Sequence, residues 1–211
     1  MRQDLRVKEV TSKGELNLYK GYSMNLPKPD WKSERPYMPD AFLNNEQNKR
    51  YQFCMPYCQD KVVLDIYCGD GYGSEILSQT AQKVYGTDYS EEAIEYANIL
   101  HKKDNIEFRI EKFPPINFKD NTFDTVVALE ALEHTKDDNL FLSEIKRVLK
   151  DDGYLIICTP ISDETMGIGA WHFREYNKEE LRNLISKYFT IENFYSPALF
   201  STSKHVVICR N

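Results

Sequence analysis

The sequence predicts an α/β fold: a doubly wound, seven-stranded sheet, mostly parallel, with one antiparallel strand near the C-terminus. Three observations carry this. From Lys61 onward, short apolar runs alternate with helical patterns, which makes a parallel sheet with helices on both faces. A glycine-rich turn follows the first run, where such sheets bind ligands. The last two runs have no helix between them, so they form a hairpin that reverses one strand.

Each element has its own local reason. KVVLDIYC (61–68) reads as the first strand, followed by a helix from Tyr72 to Thr80, and KVYGTD (83–88) as the second strand. Ser90 then caps a helix whose first turn carries Glu91 and Glu92, matched to the helix dipole, with Ala93, Ala97 and Leu100 on one face. IEFRI (106–110) and FDTVVALE (123–130) are the third and fourth strands. Phe141, Ile145, Val148 and Leu149 give the next helix an apolar stripe, ended by Asp151, Asp152 and Gly153. GYLIICTP (153–160) is the fifth strand. Asn177 and Glu180 form a capping pair for a helix carrying Leu181, Leu184, Ile185 and Tyr188. Strands near 190–196 and 203–209 complete the set. Residues 1–50 are polar and proline-bearing with weak periodicity, and read as an N-terminal extension or lid over the strand ends; 51–211 form the domain.

Composition sets the bounds. At 211 residues the chain suits one sizeable domain, and no apolar stretch approaches the ~20 residues of a membrane span. The first 20 residues lack the apolar core of a signal peptide, so a cytoplasmic address is the expectation. Five cysteines (Cys54, Cys58, Cys68, Cys158, Cys209) read as reduced thiols, and nothing near Cys54 and Cys58 completes a zinc set. Net charge is −6 with dispersed Lys and Arg, which argues against affinity drawn from nucleic-acid phosphates.

LDIYCGDGYGS (64–74) places Gly69, Gly71 and Gly73 two apart, letting a ligand approach the backbone. The second strand ends at Asp88, about 20 residues on, where an acid grips a ribose diol. An adenosine-containing ligand follows. A dinucleotide loop would put glycine where Ser74 stands and a pyrophosphate on the helix N-terminus, but Asp65 and Asp70 would repel that anion. They favour S-adenosylmethionine, whose sulfonium and ammonium are both positive.

At the end of the fourth strand, Glu130, Glu133 and His134 are spaced to converge on a helical turn, and His172 reaches the same rim from beyond the fifth strand. Two carboxylates and two imidazoles suit Mg²⁺, or a tighter site for Zn²⁺ or Mn²⁺, with positions left for a substrate hydroxyl. Without a metal, His134 is the leading general base, since histidine titrates near neutrality. Alternatively, Glu133 and His134 only cap the next helix. Residues 162–170 carry Gly167 and Gly169 and read as a mobile loop over the substrate, with Met166 and Trp171 as apolar lining; RPYMPD (35–40) supplies the opposite wall.

VVLDIYCGDGYGS, VYGTDYS, NTFDTVVALEALEH and RVLKDDGYLIICTP, in that order, resemble the class I S-adenosylmethionine-dependent methyltransferases, Rossmann-like enzymes, of the ubiquinone-biosynthesis-like (type 11) group. The resemblance runs from about Lys61 to Pro160. It implies that Asp65, Gly69 and Gly71 shape the methionine end of the cofactor site, that Asp88 holds both ribose hydroxyls, that Tyr89 flanks the adenine and that Leu129 lines the sulfonium side. Arg50 is placed like a basic residue that pairs with the cofactor carboxylate. Tyr67 joins the cofactor loop where the family has glycine, so its side chain must point away. Lys112 stands where an aspartate commonly meets the adenine amine, leaving the Phe113 backbone or Glu111 to substitute. Glu130, Glu133, His134 and His172 look like the metal set of metal-dependent O-methyltransferases, including ubiquinone-pathway enzymes and plant-type small-RNA 2′-O-methyltransferases.

The expected activity is therefore O-methylation of a sugar, glycan or other small hydroxylated acceptor. RNA 2′-O-methylation is the alternative enzyme, opposed by the acidic balance, and a catalytically inactive cofactor-binding partner is the alternative of another class. Nucleic acid and membrane are not expected partners; a homodimer is carried alongside.

Overall fold

The computed structural model describes residues 45–162, 172–199 and 202–211. Within them seven strands form one sheet: β1 Val62–Ile66, β2 Lys83–Asp88, β3 Ile106–Ile110, β4 Phe123–Leu129, β5 Leu149–Pro160, β6 Thr190–Tyr195 and β7 Lys204–Arg210. Their order is β3-β2-β1-β4-β5-β7-β6. All neighbouring pairs are parallel except those made by β7, which runs antiparallel to both β5 and β6. The expected hairpin is there, and its reversed strand lies between two others.

Helices cover both faces. On one side α4 (Asp138–Val148) and α5 (Lys178–Ile185) pack Phe141, Leu142, Ile145, Leu181 and Ile185 against Leu64, Val126, Leu155 and Val207. Alternation along each strand sends the intervening Val63, Val127, Ile156 and Val206 to the other face, against α1 (Asn45–Cys58), α2 (Tyr72–Leu77) and α3 (Glu91–Leu100). Each fully buried side chain of this kind contributes roughly 1.5–3 kcal/mol of transfer free energy. The caps are as expected: Ser90 Oγ accepts from the Ala93 N–H, and Asn177 with Glu180 completes a reciprocal capping box.

Helix α1 is the main addition to the expected order. Its buried stripe is Tyr51, Cys54 and Cys58, at spacings of three and four, flanked by the partly buried Phe53 and Tyr57, on a helix that contains Pro56. Those cysteines are packing residues, and all five thiols are free and buried. The helix starts at Asn45, six residues before the expected domain boundary at residue 51. The rest of the 1–50 extension, the RPYMPD segment, Met166 and Trp171 lie outside the described residues. Among the described residues no helix is long and apolar enough to cross a membrane.

Strand order reverses direction at the β1–β4 pair, so the turns after β1 and β4 diverge there and open a crevice at the carboxyl ends of the strands.

Candidate active site

The turn after β1 answers its own glycine spacing. At Gly73 an added Cβ would lie 1.9 Å from Cζ of Tyr51, so this glycine makes room for the protein's own ring. At Gly71, with φ +89°, it would strike Phe108 and Ala97. Only Gly69, with φ +58°, faces open space, with nothing within 4 Å. That is the backbone a ligand can reach.

Asp65 sits beneath this turn, fully buried. One of its oxygens accepts from Ser74 Oγ at 2.6 Å and the other from Tyr51 Oη at 3.4 Å. Burial raises its carboxyl to about 7, against the opposing effect of those two hydrogen bonds. Asp65 therefore braces the turn from inside. Asp88, at the end of β2, accepts from the Gly69 N–H at 3.1 Å through one oxygen and from the Ser90 N–H at 2.9 Å through the other. A carboxylate accepts through both oxygens, about four lone-pair sites in all.

Aromatic rings lie beside Asp88. Tyr89 is 55% exposed. Tyr67, in a left-handed backbone conformation with φ +57°, lays its ring edge-on to Tyr89 and to Phe113, and Phe113 packs on Phe141 at 5.0 Å. Glu111 is buried, receives the Asn117 amide at 2.8 Å and donates its own N–H to the Asp88 carbonyl; Lys112 is exposed. Leu129 is the buried last residue of β4.

Past Leu129 the chain turns sharply. Glu130 takes φ +53°, a conformation few non-glycine residues adopt. Its carboxylate meets Arg50 of α1 at 3.2 Å and Lys204 of β7. A 3₁₀ turn, Leu132–His134, follows and delivers Glu133 and His134. Glu133, His134 and His172 each offer one ligand atom, all within 4.8 Å of one another. Glu130, expected in the same set, stands apart because two cations from distant elements hold it. Arg50, expected on the cofactor carboxylate, is the first of those cations.

Glu133 is fully buried. Its Oε2 accepts from Thr159 Oγ1 at 3.0 Å, while among the described residues its buried Oε1 has no hydrogen-bond partner. Burial, reinforced by the Glu130 charge, pushes its carboxyl well above the usual range. His134 and His172 face each other edge-on at 5.0 Å between ring centroids, and Nδ1 of His172 lies 2.6 Å from Glu175. Sequence reasoning missed Tyr51, Thr159, Glu175 and Lys204. Only Thr159 carried a signal, as a polar residue at the carboxyl end of a central strand.

Residues 64–157 match a family model described as a methyltransferase domain. A protein of Mycobacterium tuberculosis described as a probable S-adenosylmethionine-dependent methyltransferase is 30% identical over 157 residues, 70% of this chain and 57% of that one. A ubiquinone biosynthesis O-methyltransferase of Pelagibacter ubique is 34% identical over 98 residues, 46% of this chain and 41% of that one. The chain thus spans about half the length of the curated relatives it matches. The crystal structure of a SAM-dependent methyltransferase from Aquifex aeolicus shares the fold with a TM-score of 0.66 at 21% identity, covering 82% of this chain and 93% of that one. The matched segment runs from β1 and the glycine turn through Asp88 to β5. By sequence, residues 64–157 are a methyltransferase domain similar to those of S-adenosylmethionine-dependent methyltransferases, the ubiquinone biosynthesis O-methyltransferases among them.

Proposed function

We propose that the chain is an O-methyltransferase that carries a methyl group from S-adenosylmethionine to a hydroxyl of a small acceptor, a sugar or another hydroxylated molecule, with help from a divalent ion. The observation that carries this reading is the convergence of Glu133, His134 and His172 on the same sheet edge as the Gly69 turn and Asp88.

The cofactor assignment rests on fit. Gly69 leaves open space above its backbone, the Asp88 carboxylate lies beside it, Tyr89 is exposed next to Asp88 in an aromatic group with Tyr67 and Phe113, and Leu129 ends β4. Gly71 and Tyr67 hold the turn's shape, Asp65 braces it, and Arg50 supplies positive charge at its edge. Bound there, S-adenosylmethionine supplies an electrophilic methyl whose bonding electrons stay on sulfur when it leaves.

The metal assignment also rests on fit. A buried carboxylate oxygen with no hydrogen-bond partner among the described residues, beside two imidazoles, is a donor set that fits a cation. With Glu130 outside, one carboxylate and two imidazoles suit Zn²⁺ or Mn²⁺ better than Mg²⁺. Such an ion would supply a Lewis acid that lowers the pKa of an acceptor hydroxyl. The residues themselves orient the acceptor and exclude water, and His134 takes the hydroxyl proton if no ion is bound. Relatives named as ubiquinone biosynthesis O-methyltransferases support transfer to oxygen over other atoms.

The test is release of S-adenosylhomocysteine across a panel of hydroxylated acceptors, with Mn²⁺, Zn²⁺, Mg²⁺ or EDTA. Turnover that EDTA abolishes and a divalent ion restores is expected. Cofactor binding with no turnover on any acceptor would instead favour an inactive partner protein.

A further inference from the structure

We propose that Glu175 is a positioning residue for His172: its carboxylate fixes the imidazole as the Nδ1-protonated tautomer and so reserves the Nε2 lone pair for the centre formed with Glu133 and His134. This rests on the reading of that trio as the chemical centre.

The geometry is specific. His172 Nδ1 and Glu175 Oε1 are 2.6 Å apart, and the two side chains are only 8% and 10% exposed, so bulk water competes weakly for either. An ionised carboxylate only accepts hydrogen bonds, hence Nδ1 must be the donor and the remaining lone pair is on Nε2. The pair is not held by a helix, although it is spaced three residues apart. Its backbone is pinned instead by neighbours on several sides. The Phe173 N–H donates to the Glu133 carbonyl at 2.8 Å, tying this segment to the 3₁₀ turn that delivers Glu133 and His134. Tyr176 is buried and bridges Ile161 as a parallel partner, with the Ser162 N–H donating to its carbonyl. Arg174 meets Asp138 at the start of α4. A carboxylate on so fixed a backbone can hold a ring in one orientation.

The arrangement serves either use of His172. A histidine whose second nitrogen donates to a carboxylate is a stronger metal ligand, because the negative charge raises the basicity of the free nitrogen. When no ion is present, the same hydrogen bond leaves Nε2, rather than Nδ1, as the nitrogen that accepts a proton.

Two-bond ¹H–¹⁵N correlation spectra of the histidine rings, recorded on the full chain without added metal, read the His172 tautomer directly. The wild type is expected to show the Nδ1-protonated form, and Glu175→Ala a mixture in which the Nε2-protonated form gains. Glu175→Gln, which keeps the side chain's size, is expected to lower Mn²⁺ affinity by about 10–100-fold in calorimetry. A merely structural role would change the melting temperature and leave the tautomer alone. A wild-type spectrum dominated by the Nε2-protonated form overturns the proposal without any variant, and so does an Glu175→Ala spectrum unchanged from wild type. If wild-type protein takes up no Mn²⁺ or Zn²⁺, the metal reading falls, while the tautomer result still decides the role of Glu175.

Discussion

Asp65→Asn is the sharpest probe of the turn that frames the proposed cofactor site. The wild-type carboxyl is fully buried, with one oxygen on Ser74 and the other on Tyr51. Burial lifts it from an ordinary 3.8 to about 7, so the native protein binds this proton more tightly than the unfolded chain does. The resulting stability is complete below the unfolded value and is lost as pH rises through about 7. Three pH units at about 1.4 kcal/mol each give ~4 kcal/mol across the whole window, of which ~2–3 kcal/mol falls between pH 5 and pH 8. Asparagine has the same shape and never ionises, so this part of the slope disappears. Urea unfolding of both proteins at pH 5 and pH 8 measures it: wild type should lose ~2–3 kcal/mol more than the variant on going to pH 8. Glu133, also raised by burial, titrates in both proteins and cancels in the difference. Parallel profiles, with a gap constant to within ~0.5 kcal/mol, would refute the account of Asp65 as a buried, proton-holding brace.

Three further outcomes are expected. Asp88→Ala weakens S-adenosylmethionine binding in calorimetry by ~1.5–3 kcal/mol, since it removes an ionised acceptor and frees the Gly69 and Ser90 N–H groups; unchanged affinity would undo the ribose assignment. Gly73→Ala drives a methyl into the Tyr51 ring and costs ~1–3 kcal/mol in urea unfolding, part of which Tyr51→Leu recovers in the same chain; wild-type stability in the single variant would contradict the packing argument. His134→Ala and His172→Ala each keep cofactor affinity but lose metal-stimulated transfer, and full activity of the wild type after chelation would end the metal assignment.

What the sequence determined by itself was everything carried by near neighbours along the chain. Strands follow from short apolar runs set between helical patterns, helix starts from an oxygen at Ser90 or Asn177 within three residues of its N–H partners, and the reversed β7 from the absence of a helix before it. The glycine turn and Asp88 were legible for the same reason, as a fixed spacing after a strand. Helix α1 was not, because a stripe of one tyrosine and two cysteines around Pro56 is a weak apolar signal until a sheet face covers it.

Tertiary structure alone decided what each polar group faces. It assigned Gly73 to Tyr51 and left open space above Gly69, a distinction invisible in three equally spaced glycines. Spacing grouped Glu130 with Glu133 and His134, yet Glu130 takes a left-handed backbone and is held by Arg50 and Lys204, 80 and 74 residues away in sequence. Thr159 and Glu175 likewise enter the site from β5 and the segment beyond it. Periodicity and capping are short-range properties of the chain. The direction in which a charged side chain leaves a strand end, and which distant counter-charge meets it there, is set only when the packed faces bring those elements together.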